Sequence, residues 1–154
     1  MLLKDSARRG ELTEWVAAVR RHLAAGETVE FSPKGESMSP TLRPATDTVR
    51  VAPCADYSPG DILLVEAETP PGVFLHSLMA VRDGRYILMG DANLYQTEEC
   101  PRGGILGKVV AIRRSGRDVT AAPSTRLLRS LHRLHGTAPR LRRLLVRLLH
   151  HLHL

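Results

Sequence analysis

The chain of 154 residues is long enough for one domain with a hydrophobic core, and aromatic residues make up only 4% of it, so that core must come from Leu, Val, Ile and Ala. Two cysteines, Cys54 and Cys100, exclude a disulfide framework, and no Cys/His cluster has zinc-ligand spacing, so neither a metal nor a cofactor is expected. No apolar run approaches the ~20 residues of a membrane span. The N-terminus lacks the apolar stretch of an export signal, so a cytoplasmic protein without a transmembrane segment is expected.

In chain order, the first predicted element is a helix over residues 11–25. Leu12, Trp15, Val16, Val19 and Leu23 recur at three-and-four spacing. Glu11 and Glu14 lie in its first turn and Arg20 and Arg21 near its end, matching the helix dipole, and Gly26 is a natural stop. From residue 28 the period changes to that of strands. Thr28–Phe31 and Thr48–Val51 alternate apolar and polar residues, and Ile62–Val65 is a continuous apolar run suited to a buried strand. Pro70-Pro71-Gly72 reads as a loop. Asp83-Gly84 between the apolar runs 73–81 and 85–91 is a strong hairpin signal. A further strand is predicted over 105–113, turned by Ser115-Gly116 into Asp118-Val119-Thr120.

Between the first two strands lies Lys34-Gly35-Glu36-Ser37-Met38-Ser39-Pro40. A serine held between a flexible glycine and a rigid proline at a strand end is suitably placed for a nucleophile. Gly, Ser and Pro are also the ordinary constituents of a polar turn. Gly-Glu-Ser-Met-Ser-Pro-Thr-Leu resembles the Gly-x-Ser-Met-x-Pro box of the superfamily that holds signal peptidase I and the LexA-type self-cleaving repressors. Three further stretches occur in that superfamily's order. Ser58–Val65 is similar to its Gly-Asp-Ile-Val-Val strand, Leu75-His76-Ser77-Leu78 to the strand bearing its general base, and Gly90-Asp91-Ala92-Asn93 to its Gly-Asp-Asn box. The resemblance covers about residues 28 to 113.

It implies a mostly β fold of LexA/signal-peptidase-like coiled sheets and a serine endopeptidase acting on a peptide or precursor protein. Ser37 is then the nucleophile and His76 the base, with Gly35, Met38 and Pro40 beside the substrate. On residue type alone, His76 is more simply a hydrogen-bonded strand histidine. The hairpin offers a separate expectation. With Asp83 and Gly84 central in the turn, Arg82 faces Arg85, Val81 faces Tyr86 and, further out, His76 faces Asp91. Directly opposed residues have Cβ atoms ~4.5–5.5 Å apart, so Asp91 is the expected carboxylate partner of His76. A bulge near Gly90 shifts this register by one and exchanges the faces.

The chain departs from its relatives in several places. Most bacterial members and the LexA type use a lysine base, and none of Lys4, Lys34 and Lys108 falls on the base-bearing strand. A histidine there resembles the endoplasmic-reticulum and archaeal signal peptidases, although an arginine usually comes after it and Ser77 does here. Those enzymes also carry an acid shortly after the Gly-Asp-Asn box, for which Glu98 and Glu99 are the nearest, offset candidates.

Residues 124–154 hold seven arginines and no acid, whereas the rest of the chain, despite the +6 total, is balanced to within one charge. Leu127, Leu128, Leu131 and Leu134, then Leu141, Leu144, Leu145, Leu148, Leu149 and Leu152, predict two short basic amphipathic helices separated at Gly136 and Pro139. Such a segment suits an anionic membrane surface, a partner protein or self-association, or nucleic acid, the last disfavoured because the segment has no aromatics. The expected organisation is an N-terminal helix (1–27) on the body, a β peptidase-like domain (28–121) and a basic helical tail (122–154). Two rival functions remain. One is an inactive peptidase-fold module that docks through its tail. The other is a self-processing regulator, disfavoured by the missing lysine and by the lack of a separate DNA-binding domain.

Overall fold

The computed structural model describes residues 2–93 and 95–120 together with positions 140, 141, 144, 145, 147 and 148, with side chains from residue 9 onward. The helical tail predicted over 122–154 therefore lies largely outside the described residues.

Helix α1 spans Leu2–Ala24 and so begins well before Glu11, where the apolar spacing starts. Its inward stripe is Val16, Val19 and Leu23, all buried, with Trp15 partly so. Leu12, on the same stripe by its spacing, remains 43% exposed. The helix stops as Gly26 predicts. Gly26 takes φ +80°, its N–H donates to Leu23 O, and Glu27 N–H donates back to His22 O, satisfying carbonyls that the last turn leaves open.

Among the described residues, eight antiparallel strands follow the helix: β1 (Val29–Phe31), β2 (Asp47–Ala52), β3 (Ile62–Glu68), β4 (Pro71–Arg82), β5 (Arg85–Met89), β6 (Glu98–Pro101), β7 (Ile105–Arg114) and β8 (Arg117–Asp118). They form one sheet in the order β1-β2-β7-β3-β4-β5-β6, with β8 paired to the end of β7. Pro71 and Gly72, expected in a loop, instead open β4 by pairing with Glu68 and Ala67. β6 is a strand that the sequence pattern does not predict.

Two apolar clusters fill the sheet's two sides. α1 covers Val49, Val51, Ile62, Leu64, Val109 and Ile112 of the central strands. A second cluster of Leu63, Val65, Leu78, Leu88 and Cys100 uses the alternate residues of β3 and the inner residues of β4, β5 and β6. A bridge between Thr69 and Glu99 brings β6 back to the β3–β4 turn, so these four strands curl around that cluster.

The β4–β5 register begins as the turn predicts, with Arg82 opposite Arg85, Val81 opposite Tyr86 and Ala80 opposite Ile87. Met79 is then an extra residue in β4, after which Leu78 faces Leu88 and Ser77 faces Met89. The bulge lies in β4 rather than near Gly90. It shifts the register by one, so Ser77 and not His76 comes to share a face with Asp91.

Among the described residues no helix is long and apolar enough to cross a membrane.

Candidate active site

Ser37 sits in the turn after β1. Gly35 at φ +81° reverses the chain, and hydrogen bonds from Ser39 N–H to Glu36 O and from Leu42 N–H to Met38 O tighten the segment on either side of Pro40. Met38 and Leu42 point into the core beneath α1 and anchor the turn, while Ser37 stays half-exposed. His76 lies in β4, 97% buried. Its Nε2 is 2.8 Å from Ser37 Oγ, although the two residues are 39 positions apart in sequence.

The other ring nitrogen, Nδ1, is 2.6 Å from Glu98 Oε2. Glu98 is 1% exposed and stands opposite Leu88 in β6. A glutamate carboxylate accepts hydrogen bonds, so Nδ1–H donates to it and the Nε2 lone pair is left facing the serine hydroxyl. The result is a line from hydroxyl to imidazole to carboxylate. A half-exposed end opens on a groove, and a buried end closes the line.

Asp91, expected to partner His76, is a correction. Its Oδ1 accepts from Ser77 Oγ at 2.8 Å, and its Oδ2 accepts from Thr41 Oγ1. The cause is the extra residue at Met79. Ser77 opposes Met89, and Asp91 is its diagonal neighbour on the same face. Asp91 therefore ties β4 to the turn that carries Ser37. Thr41 is held a second time, its carbonyl accepting from Arg114 Nη2 at 3.1 Å.

Gly90 explains how the line closes. A Cβ there would lie 2.5 Å from Ser37 O and 3.0 Å from His76 Nε2. The missing side chain lets the serine turn rest on the β5 end, where Ala92 N–H donates to Ser37 O at 2.9 Å. Phe74, on the same β4 face as His76, packs its ring against the imidazole with centroids 5.4 Å apart. Gly72 leaves room for that ring, since a Cβ at Gly72 would come within 2.9 Å of it.

A groove of about 920 Å³ opens beside Ser37 and His76. Of the three residues expected beside a substrate, Gly35 and Met38 line the groove and Pro40 does not. Leu12, Trp15, Phe31, Leu64, Val73 and Leu75 make the lining largely apolar.

Away from the groove, Arg114 makes two 2.8 Å contacts to the Asp47 carboxylate, which also accepts from Arg43 N–H and Thr46 Oγ1. Burial pushes the Asp47 pKa up, but the Arg114 guanidinium and the two other donors outweigh it, so the carboxyl is held below its usual range. Burial raises the Cys100 thiol to about 11.

Ser37 and His76, both identifiable in the sequence, are brought together. The sequence marks Glu98 only as an offset acid and does not single out Thr41, Phe74 or Ser77 as contributors. No strand pattern in the sequence marks Glu98: β6 buries Glu98 and Cys100 and leaves Glu99 and Pro101 partly exposed, but Glu-Glu-Cys-Pro shows no apolar–polar alternation. Compared with known proteins, the chain matches no family model and no curated protein.

Proposed function

We propose that this protein is a serine endopeptidase of the signal-peptidase and LexA-like type, acting on a peptide or precursor protein with Ser37 as nucleophile, His76 as base and Glu98 as the group that orients the base. The observation that carries this reading is the continuous line from Ser37 Oγ through both nitrogens of His76 to a buried Glu98 beside an open groove. A buried imidazole needs a partner on each ring nitrogen, and what favours chemistry here is that the second partner is a half-exposed hydroxyl at the groove.

In the reaction, His76 Nε2 takes the Ser37 proton as Oγ bonds to the scissile carbonyl carbon. The Ser37 backbone N–H is the expected donor to the oxyanion that forms. Glu98 keeps Nδ1 protonated and stabilises the imidazolium. As the tetrahedral intermediate collapses, the C–N bond breaks and His76 gives its proton to the leaving amine. A water then loses a proton to His76, attacks the acyl-serine carbonyl and releases the acid, and the proton returns to Ser37. Asp91 is a positioning residue in this scheme, because its oxygens contact Ser77 and Thr41 rather than the imidazole.

Purified wild type and Ser37→Ala, each incubated with a peptide library and read by mass spectrometry, test the reading. Cleavage by the wild type alone supports it. Cleavage that survives in Ser37→Ala removes Ser37 from the mechanism, and cleavage by neither protein favours a non-catalytic binding module.

A further inference from the structure

The inward stripe of α1 is used against the sheet through Val16, Val19 and Leu23, yet Leu12, one turn earlier, stays exposed beside the groove that reaches Ser37. Trp15 lines the same groove and stands edge-on to Phe31, ring centroids 5.3 Å apart, so that wall is a fixed aromatic pair. Val73 and Leu75, on the α1-facing side of β4, contribute half-exposed apolar surface. Among the described residues, the strand there has an open edge. β4 pairs with β5 only from Ser77 onward, and Gly72–Leu75 are partly exposed on both faces. The charged lining residues are Glu11 and Lys34, one of each sign, so the groove carries no dominant charge.

We propose that α1 is the specificity element of this site: the groove takes an extended peptide segment through bulky apolar side chains of Leu, Ile or Phe size, seated between Leu12 and Trp15 of α1 and Val73 and Leu75 of β4. This rests on the peptidase reading above. The open strand edge offers main-chain hydrogen bonds spaced for an extended peptide, and the apolar walls choose its side chains. Without Leu12 and Trp15 the Ser37–His76–Glu98 line stays intact, but the groove loses one wall.

Trp15 is the chain's single tryptophan, so its emission reports the groove directly. The test uses full-length Ser37→Ala and two blocked decapeptides of equal length and charge, one centred on Leu-Phe-Ile and the other on Ser-Asn-Thr. The apolar peptide is expected to shift Trp15 emission saturably and the polar peptide to leave it unchanged. Adding Leu12→Glu should weaken apolar-peptide binding about tenfold or more, since a carboxylate then replaces apolar surface in the groove. Leu12 is exposed, and an unchanged circular dichroism spectrum and melting temperature would show that Leu12→Glu remains folded. Equal binding of both peptides, no emission change with either, or undiminished binding in the Leu12→Glu variant overturns the proposal. Absence of Ser37-dependent cleavage in the library assay overturns the peptidase reading instead and leaves this binding measurement standing.

Discussion

Adjacent residues of β4 serve two buried carboxylates in different ways. His76 reaches Glu98 on one face, and Ser77 reaches Asp91 on the other. Both clusters end in a hydroxyl on the same turn, Ser37 in the first and Thr41 in the second. In the first, an imidazole stands between hydroxyl and carboxylate and the hydroxyl is half-exposed at a groove. In the second, the carboxylate accepts from both hydroxyls directly, and Thr41, Ser77 and Asp91 are all buried. An imidazole with an available lone pair can take a proton near neutral pH, whereas a carboxylate is far too weak a base to hold one taken from a hydroxyl. The imidazole therefore makes the first cluster the candidate reacting line, whereas the second, which has none, is a brace.

The two faces should fail differently when mutated. Ser37→Ala and His76→Ala are each expected to lower kcat by roughly 10³–10⁶-fold with little change in melting temperature for Ser37→Ala, measured by peptide cleavage and thermal denaturation. Glu98→Gln keeps the side-chain shape but can present its N–H to Nδ1 and favour the wrong tautomer. A loss of about 10²–10⁴-fold in kcat is expected, and equal activity in Glu98→Gln and wild type would reduce Glu98 to a packing residue. Asp91→Ala should show the opposite balance. It leaves two buried hydroxyls without their acceptor and should cost about 2–4 kcal/mol in denaturant unfolding. Well below its melting temperature its kcat should fall far less than that of Glu98→Gln. A kcat loss as large as that of His76→Ala at full stability would move Asp91 into the reacting line.

Smaller effects are expected away from both clusters. Asp47→Asn weakens the pairing with Arg114 and should cost about 1–3 kcal/mol near pH 7. Because the folded carboxyl sits below its ordinary range, its stabilisation is present above about pH 4 and is lost as pH falls through the folded value. The gap between wild type and Asp47→Asn should therefore close in acid unfolding curves below about pH 4. Finally, Cys100 is fully buried with its thiol pushed up to about 11, whereas Cys54 is partly exposed. In the native protein a thiol reagent should label Cys54 well before Cys100.

The sequence by itself determined the local elements and singled out Ser37 and His76 as the candidate pair. Three-and-four spacing located the buried stripe of α1, Gly26 its end, and Asp83-Gly84 the β4–β5 turn, because these depend on period and backbone preference within a few residues. The Gly-Glu-Ser-Met-Ser-Pro turn and the strand bearing His76 were legible through resemblance. The partner of His76 was not. Pairing arithmetic ran correctly from the turn to Ala80 and then failed at Met79, since nothing in Ser77-Leu78-Met79-Ala80 marks an extra residue. One residue of slip exchanges faces, sending Asp91 to Ser77 and leaving His76 for Glu98. β6 was missed because its inward residues include a glutamate, which looks like a surface residue until folding supplies the imidazole that satisfies it. Register and burial are properties of contacts between strands far apart in the chain, and only folding assigns them.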